Sequence, residues 1–413
     1  MNISFSPPFI DQQVIDEVLD TLNNNWITTG PKVKALESEI IKLTGSQAAI
    51  CVNSWTSGAI MMLNWFGVGP GDEVILPAYS YCATALCVLH CGATPVMVDI
   101  LDDLTINPEA ISEKITSRTK AIIAVDIAGL PCHYNRLNAL VHSEAMSSRF
   151  IPENPKQAAL GRILLISDAA HSIGALYDGE PAARKSDVTI FSFHAVKNVT
   201  TGEGGCICLN LPESFNVPEE FSYLKMLCLN GQSKDAFTKS QGASWKYDIM
   251  FKGFKMNMPD ICAAIGLAQL RQYSGELLPR RKAIYLKYLD AFQHQDWCIA
   301  PLFSDHIRQS SCHLFALRIS GITEEQRDEV IAELAAAGIQ ANVHFIPMPM
   351  LTYFKTLGYH ISDFPKSLKH FSCEISLPIY PQLRDEETDF IISQVLDAVN
   401  RKVALREVPV LSA

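Results

Sequence analysis

The sequence predicts a mostly parallel α/β sheet with helices on both faces, followed by a smaller α+β domain. Seven short β-rich runs between residues 48 and 210 are separated by helical patterns or turns. Apolar runs of that length between helices belong to strands covered on both faces. Beyond Pro259 the pattern changes to long helices with a few alternating segments. The chain also has 413 residues, with 48% hydrophobic and 19% charged side chains, enough for a large core and more than one ordinary domain. A boundary near residue 270 divides it into expected domains 1–270 and 271–413.

Each element follows from its local pattern. AAICVN (48–53) reads as a strand and Ser54 to Phe66 as a helix. EVILPA (73–78) is a second strand, with a helix after it through His90. TPVMVDI (94–100), AIIAVDIAG (121–129), ILLIS (163–167), VTIFSF (188–193) and CICLN (206–210) complete the series. Residues 142–161 are polar and without period, and read as a surface excursion. The stretch 230–258 is irregular and rich in Gly, Lys and aromatics. A long helix is expected from 261 to about 291. HLFALRIS (313–320) alternates like a half-buried strand, and EEQRDEVIAELAAAG (324–338) is helical up to its glycine. IQANVHF (339–345) is expected as a strand and 385–403 as a terminal helix.

Composition excludes several classes. With 34 basic and 44 acidic side chains the formal charge is −10, so nucleic acid is not an expected partner. Twelve scattered cysteines without a CxxC read as reduced thiols of a cytoplasmic protein. The N-terminus shows no signal peptide pattern. The longest apolar stretch, Cys82 to Val98, is broken by His90, Gly92 and Pro95, so no membrane span is expected. No HExxH or similar spacing marks a metal site.

The chemistry concentrates in SDAAHSIGA (167–175) and FSFHAVKNVTTGEGG (191–205). Asp168 directly follows one strand and Lys197 closely follows another. In a parallel sheet both loops open at the same carboxyl edge, where ligands bind. Taken singly, such an Asp is more often a helix cap and such a Lys is solvated. The glycine-rich loop after Lys197 argues otherwise, because glycine lets backbone approach a ligand. A lysine with a carboxylate behind the ligand suits pyridoxal phosphate: the amine meets the aldehyde, and the carboxylate keeps the pyridine nitrogen protonated. NSWTSGAI (53–60) ends a strand with hydroxyl residues and starts a helix, which makes a phosphate cup.

Several blocks then carry a resemblance across nearly the whole chain: WITTGPKVKALESEI (26–40), GPGDEVILPAYSYCATALCVLHCGATPVMVDI (69–100), RTKAIIAVDIAGLPC, SDAAHSIGA, SFHAVKN, GEGG, GFKMNMPDICAAIGLAQL (253–270), VHFIPM and SLPIYPQL. The sequence resembles the DegT-type (DegT/DnrJ/StrS) sugar aminotransferases, a branch of the aspartate aminotransferase-like, fold type I pyridoxal phosphate enzymes. The resemblance implies that Lys197 forms the imine with the cofactor and that Asp168 pairs with the pyridine nitrogen. It places His171 near the phenolic oxygen and Tyr81 on the ring face. Thr56, Ser57 and Ser192 would serve the phosphate, joined by Asn257 from the second subunit of a homodimer. His344 and the loop holding Thr28, Thr29 and Lys32 would face a nucleotide-diphosphate keto sugar, with L-glutamate as amino donor.

The HAVKN and GFKMN wording is nearest to enzymes that aminate C4 of UDP-linked keto sugars for surface polysaccharide. Amination at C3 of a dTDP-linked 3-keto-6-deoxy sugar is the alternative, and a non-catalytic regulatory protein on the same fold is another. Sugar deoxygenases of this group carry histidine in place of the lysine, whereas Lys197 is present. His194 reads as a structural histidine, Glu203 as a brace for its loop and Tyr79 as a core residue. Three departures bear on substrate: the long excursion at 143–160, Ser167 where an acidic residue is common, and Phe345 where a tyrosine usually follows the histidine.

Overall fold

A computed structural model describes residues 2–234 and 245–404. The expected sheet is present, with β1 (Ala48–Val52), β2 (Glu73–Pro77), β3 (Thr94–Val98), β4 (Thr119–Val125), β5 (Leu164–Asp168), β6 (Val188–Ser192) and β7 (Gly205–Leu209). The spatial order is β1-β7-β6-β5-β4-β2-β3. All neighbours pair in parallel except β7, which runs antiparallel to both β1 and β6. Every residue of β1, β2, β4, β5 and β7 is buried, as expected for strands covered on both faces.

Two connections set the positions of the chemistry. β5 and β6 are parallel neighbours, with Asp168 opposite Ile190, so both release their loops at one edge. β7 then enters between the ends of β1 and β6, pairing Gly205 with Val52 on one side and with Ser192 on the other. A Cβ at Gly205 would lie 2.7 Å from the Ser54 carbonyl carbon and 2.7 Å from the Trp55 nitrogen. Only glycine lets the strand run this close to the start of the following helix.

The helix after Pro259 spans Asp260–Gln272, passes through a π turn at Tyr273–Leu277, and continues as Leu278–Phe292. Beyond it, β8 (Phe315–Ile319) and β9 (Glu374–Leu377) pair antiparallel, with Cys298–Ile299 at the far side of β8. A second apolar cluster forms around this sheet from residues between Ile284 and Val399, and Ile3 joins it. Met348, Phe354 and Phe364 instead pack into the core of the large sheet.

Two expectations are corrected. IQANVHF is not a strand: only isolated bridges join Ile339 to Ile3 and Asn342 to Ser376. Its amides go to separate acceptors, Gln340 to the Ile3 carbonyl, Asn342 to the Ser376 carbonyl and His344 to the Glu374 side chain. The 143–160 excursion is anchored rather than purely superficial. Asn154 and Gln157 both donate to the Phe66 carbonyl at 3.0 Å, and Gln157 is fully buried. Of the irregular stretch 230–258, residues 235–244 lie outside the described ones. All twelve cysteines are free.

Candidate active site

A cavity of about 430 Å³ opens at the carboxyl edge of the sheet. Thr56, Tyr81, Asp168, His171, Ser192, Lys197 and His344 line it, together with Phe5, Trp55, His194, Glu203, His313 and Phe345. Seven of the sequence-predicted residues thus meet in one place.

Asp168 is buried at the end of β5. One carboxylate oxygen accepts from the Thr84 hydroxyl at 2.9 Å and the other from the Ala170 amide at 3.2 Å. Burial pushes its carboxyl up to about 7, while those two donors and Lys197 hold it down. Burial pushes the Lys197 amine down to about 8, against the pull of Asp168. The two groups sit close to the pH at which proton transfer is useful.

Three histidines stand nearby, all held neutral by burial. The His171 ring accepts the Ala128 amide at Nδ1, at 3.2 Å, so its proton sits on Nε2. His171 lies well below the ordinary imidazole range, through burial and the Lys197 charge. His313 packs against it with ring centres 4.3 Å apart and planes tilted by 37°, and meets the Asn198 side-chain oxygen through Nδ1 at 2.8 Å. Burial also pulls His344 down to about 3, with Lys197 adding to the effect. His344 Nδ1 meets the Ser376 hydroxyl at 2.9 Å. His194, expected as structural, is half exposed and lies 3.7 Å from Glu203. Tyr79 is fully buried and donates to the His344 carbonyl at 2.8 Å.

The start of helix Trp55–Trp65 lies where the phosphate cup was expected. Ser54 caps it by accepting the Ser57 amide at 3.0 Å, and its hydroxyl also bonds that of Ser57 at 2.9 Å. Ser57 is therefore occupied within the cap and is not part of the cavity lining, unlike Thr56 and Ser192.

Thr28, Thr29, Lys32 and Asn257 form a separate group. Asn257 donates to the Thr29 hydroxyl at 2.7 Å, which donates to the Met258 carbonyl at 2.6 Å. Lys32 pairs with Glu17 at 2.5 Å and with Asp20. The buried Asp260 carboxylate accepts the amides of Gly30, Lys32 and Val33, and so caps the helix that begins at Pro31. Thr29 and Asn257 line a second cavity of about 560 Å³, and none of these four residues lines the first.

Comparison with known proteins decides the family. The family model of the DegT/DnrJ/EryC1/StrS aminotransferases matches residues 8–147 and 151–396. The chain belongs to this family. It is 34% identical over 405 residues to the spore coat polysaccharide biosynthesis protein SpsC of Bacillus subtilis, covering 96% of this chain and 97% of SpsC. It is 33% identical over 404 residues to a UDP-4-amino-4-deoxy-L-arabinose–oxoglutarate aminotransferase of Shewanella sediminis, covering 96% and 97%. Among solved structures it superposes on Spr1654 of Streptococcus pneumoniae, assigned as a sugar aminotransferase, with TM-score 0.93 and 40% identity in the pyridoxamine phosphate form, over 99% and 100% of the two chains. The pyridoxal phosphate form gives TM-score 0.92 over 97% and 99%.

The protein is a pyridoxal phosphate-dependent aminotransferase, and its own residues fit that cofactor. The cavity joins an amine, a buried carboxylate and a helix N-terminus. The indole nitrogen of Trp55, a cavity-lining residue, is buried without a partner, which leaves a donor beside the cup.

Sequence reasoning missed Phe5, Thr84, His313, Ser376 and Glu374. Thr84 lies fifteen positions after the start of the 69–100 block, with nothing local to mark it. His313 was read as the start of a half-buried strand. Ser376 opens the SLPIYPQL block and Glu374 stands two residues before it, and only three-dimensional contact shows what they touch.

Proposed function

We propose that this enzyme moves the amino group of L-glutamate to the 4-keto group of a UDP-linked sugar, in amino-sugar synthesis for surface polysaccharide. The observation that carries the reading is the meeting of Lys197, Asp168, His171 and the Thr56 cup in one cavity, within a chain similar to SpsC and to the arabinose enzyme. When bound, pyridoxal phosphate supplies an aldehyde and an electron-withdrawing ring. Lys197, with its charge destabilised by burial, would be the group that takes the proton from the amino acid Cα. Asp168 would hold the protonated ring nitrogen, whose charge would in turn keep the carboxylate ionised. His171 donates from Nε2 to the phenolic oxygen. Tyr81 covers the ring. Thr56, Ser192 and the amides opening helix Trp55–Trp65 hold the phosphate, with Ser57 shaping that turn.

His344 binds the sugar. The group of Thr28, Thr29, Lys32 and Asn257 serves the second active site of a homodimer, where Asn257 reaches the partner's phosphate. No helix among the described residues is long and apolar enough to cross a membrane, and the cytoplasm is the proposed compartment. A division into domains 1–270 and 271–413 is part of the same reading, supported by the separate apolar cluster around the smaller sheet.

The test is an assay of the glutamate-loaded enzyme with UDP-linked 4-keto sugars and a dTDP-linked 3-keto-6-deoxy sugar. Amino-sugar product from a UDP-4-keto sugar supports the reading. Product from the dTDP sugar alone moves the amination to C3.

A further inference from the structure

His344 is gripped from several sides. Its ring stacks on Phe5 at 5.3 Å with 21° between the planes. Its amide donates to Glu374 Oε2 at 2.9 Å. Its Nδ1 meets the Ser376 hydroxyl at 2.9 Å, and that hydroxyl meets Glu374 Oε1 at 2.5 Å. A carboxylate, a hydroxyl and an imidazole therefore form one chain, which ends at the ring that lines the cavity.

Hydrogen-bond inventory restricts what this chain can do. Glu374 Oε2 faces an amide hydrogen, so any proton on the carboxyl must sit on Oε1. Ser376 has one hydroxyl proton to give. When Glu374 is ionised, Ser376 donates to Oε1, His344 donates from Nδ1 to Ser376, and Nε2 presents a lone pair. When Glu374 is protonated, Oε1 donates to Ser376, Ser376 donates to Nδ1, and Nε2 carries the hydrogen. The second state holds one proton more than the first, taken from solvent, and the imidazole is neutral in both.

We propose that Glu374 and Ser376 act as positioning residues that set the polarity of His344, so that protonation of Glu374 turns Nε2 from an acceptor into a donor toward the bound sugar. The role in sugar binding rests on the function proposed above; the polarity change itself does not.

The surroundings let both states exist. Glu374 is fully buried, and burial pushes its carboxyl up to about 8. Arg318, opposite it across the β8–β9 pair, and Arg327 of helix Glu324–Ala336 pull the other way. Neither guanidinium bonds the carboxylate: Arg327 donates to the Phe371 and Glu374 carbonyls, and Arg318 to the Asp102 carbonyl and His370. Tyr79 at the end of β2 and Cys373 have their titrations pushed upward by burial and remain neutral beside it. His370, which faces Asp102, is held neutral by burial and Arg318. A carboxylate kept only to brace the His344 amide would need no serine between itself and the ring.

The test is ¹⁵N NMR of the cofactor-loaded protein labelled at histidine, with the His344 signals assigned by their loss in His344→Gln. In the wild type, the hydrogen should move from Nε2 to Nδ1 as pH rises from 6 to 9.5. Glu374→Gln should hold it on Nε2 at every pH, because the amide can only donate to Ser376. Ser376→Ala should abolish the change and Ser376→Thr should restore it. A wild-type ring with one fixed tautomer, or a change that survives in Glu374→Gln, would overturn the proposal. If Glu374→Gln does not fold, persistence of the change in Ser376→Ala overturns it equally. Calorimetry with UDP-N-acetylglucosamine gives the second readout. Its affinity should vary several-fold with pH in the wild type and lose that dependence in Ser376→Ala. A tautomer change with no nucleotide-sugar binding at any pH would leave the relay standing and sink the sugar assignment.

Discussion

At the ends of β5 and β6 the cavity buries a carboxylate beside an amine, Asp168 with Lys197; beside β9 it buries a carboxylate behind a serine and a neutral imidazole, Glu374 with Ser376 and His344. Both carboxyls are pushed up by burial, Asp168 to about 7 and Glu374 to about 8. In the proposed mechanism Asp168 meets a charge that the cofactor brings. Glu374 has its partners already and needs none. The difference separates a region built for charge transfer from a region built for hydrogen-bond direction, and each can be broken on its own.

The largest effect is expected at Lys197. Lys197→Ala should lower turnover by more than about 10⁴-fold, since it would remove both the proposed covalent anchor and the proposed proton carrier. A spectrophotometric turnover assay checks this, and full activity would remove Lys197 from the mechanism. Asp168→Asn should follow, at about 10²–10³-fold in kcat, the size associated with one preorganised electrostatic group. An equal loss in His344→Gln would erase the distinction between the two regions. His344→Gln should instead raise KM for the sugar about tenfold, near the worth of one hydrogen bond, with the glutamate half-reaction nearly unchanged.

Stability against pH sharpens the same contrast in the cofactor-free protein. The folded pKa of Asp168 is raised, so its contribution is fully present below the unfolded value near 4 and is lost as pH rises through about 7. The melting temperature of the wild type, measured relative to Asp168→Asn, should therefore fall between pH 4 and pH 7. A difference that stays flat would mean that Asp168 is not buried as described. The smallest effect on stability is expected at Lys32, which does not line the cavity of its own subunit and pairs with Glu17 and Asp20. Lys32→Met should cost no more than about 1 kcal/mol in a denaturant titration. A larger loss of sugar affinity than of stability would show that Lys32 works at the partner's site.

The two regions also differed in how far the sequence disclosed them. Asp168 and Lys197 stand at the ends of two β-rich runs, and parallel pairing brings such ends together, so the strand pattern alone predicted their meeting. The helix start at Thr56 was legible for the same reason, because a strand, hydroxyl residues and a helical pattern follow one another. The β9 region offered no such pattern. Glu374 and His344 are 30 positions apart, and their contact arises from a stretch that resembles a strand but gives its amides to separate, unrelated partners. Phe5 reaches His344 from the other end of the chain, through the pairing of Ile3 with Ile339. Long-range contacts of single residues leave no periodic trace.

The most direct measurement is the absorption spectrum of the purified, cofactor-loaded enzyme with L-glutamate and then with a UDP-linked 4-keto sugar. The account predicts that glutamate replaces the visible band of the lysine-bound cofactor with the near-ultraviolet band of its amine form, and that the keto sugar restores the visible band. A visible band that glutamate leaves unchanged, or an amine form that no UDP-4-keto sugar discharges, would contradict it.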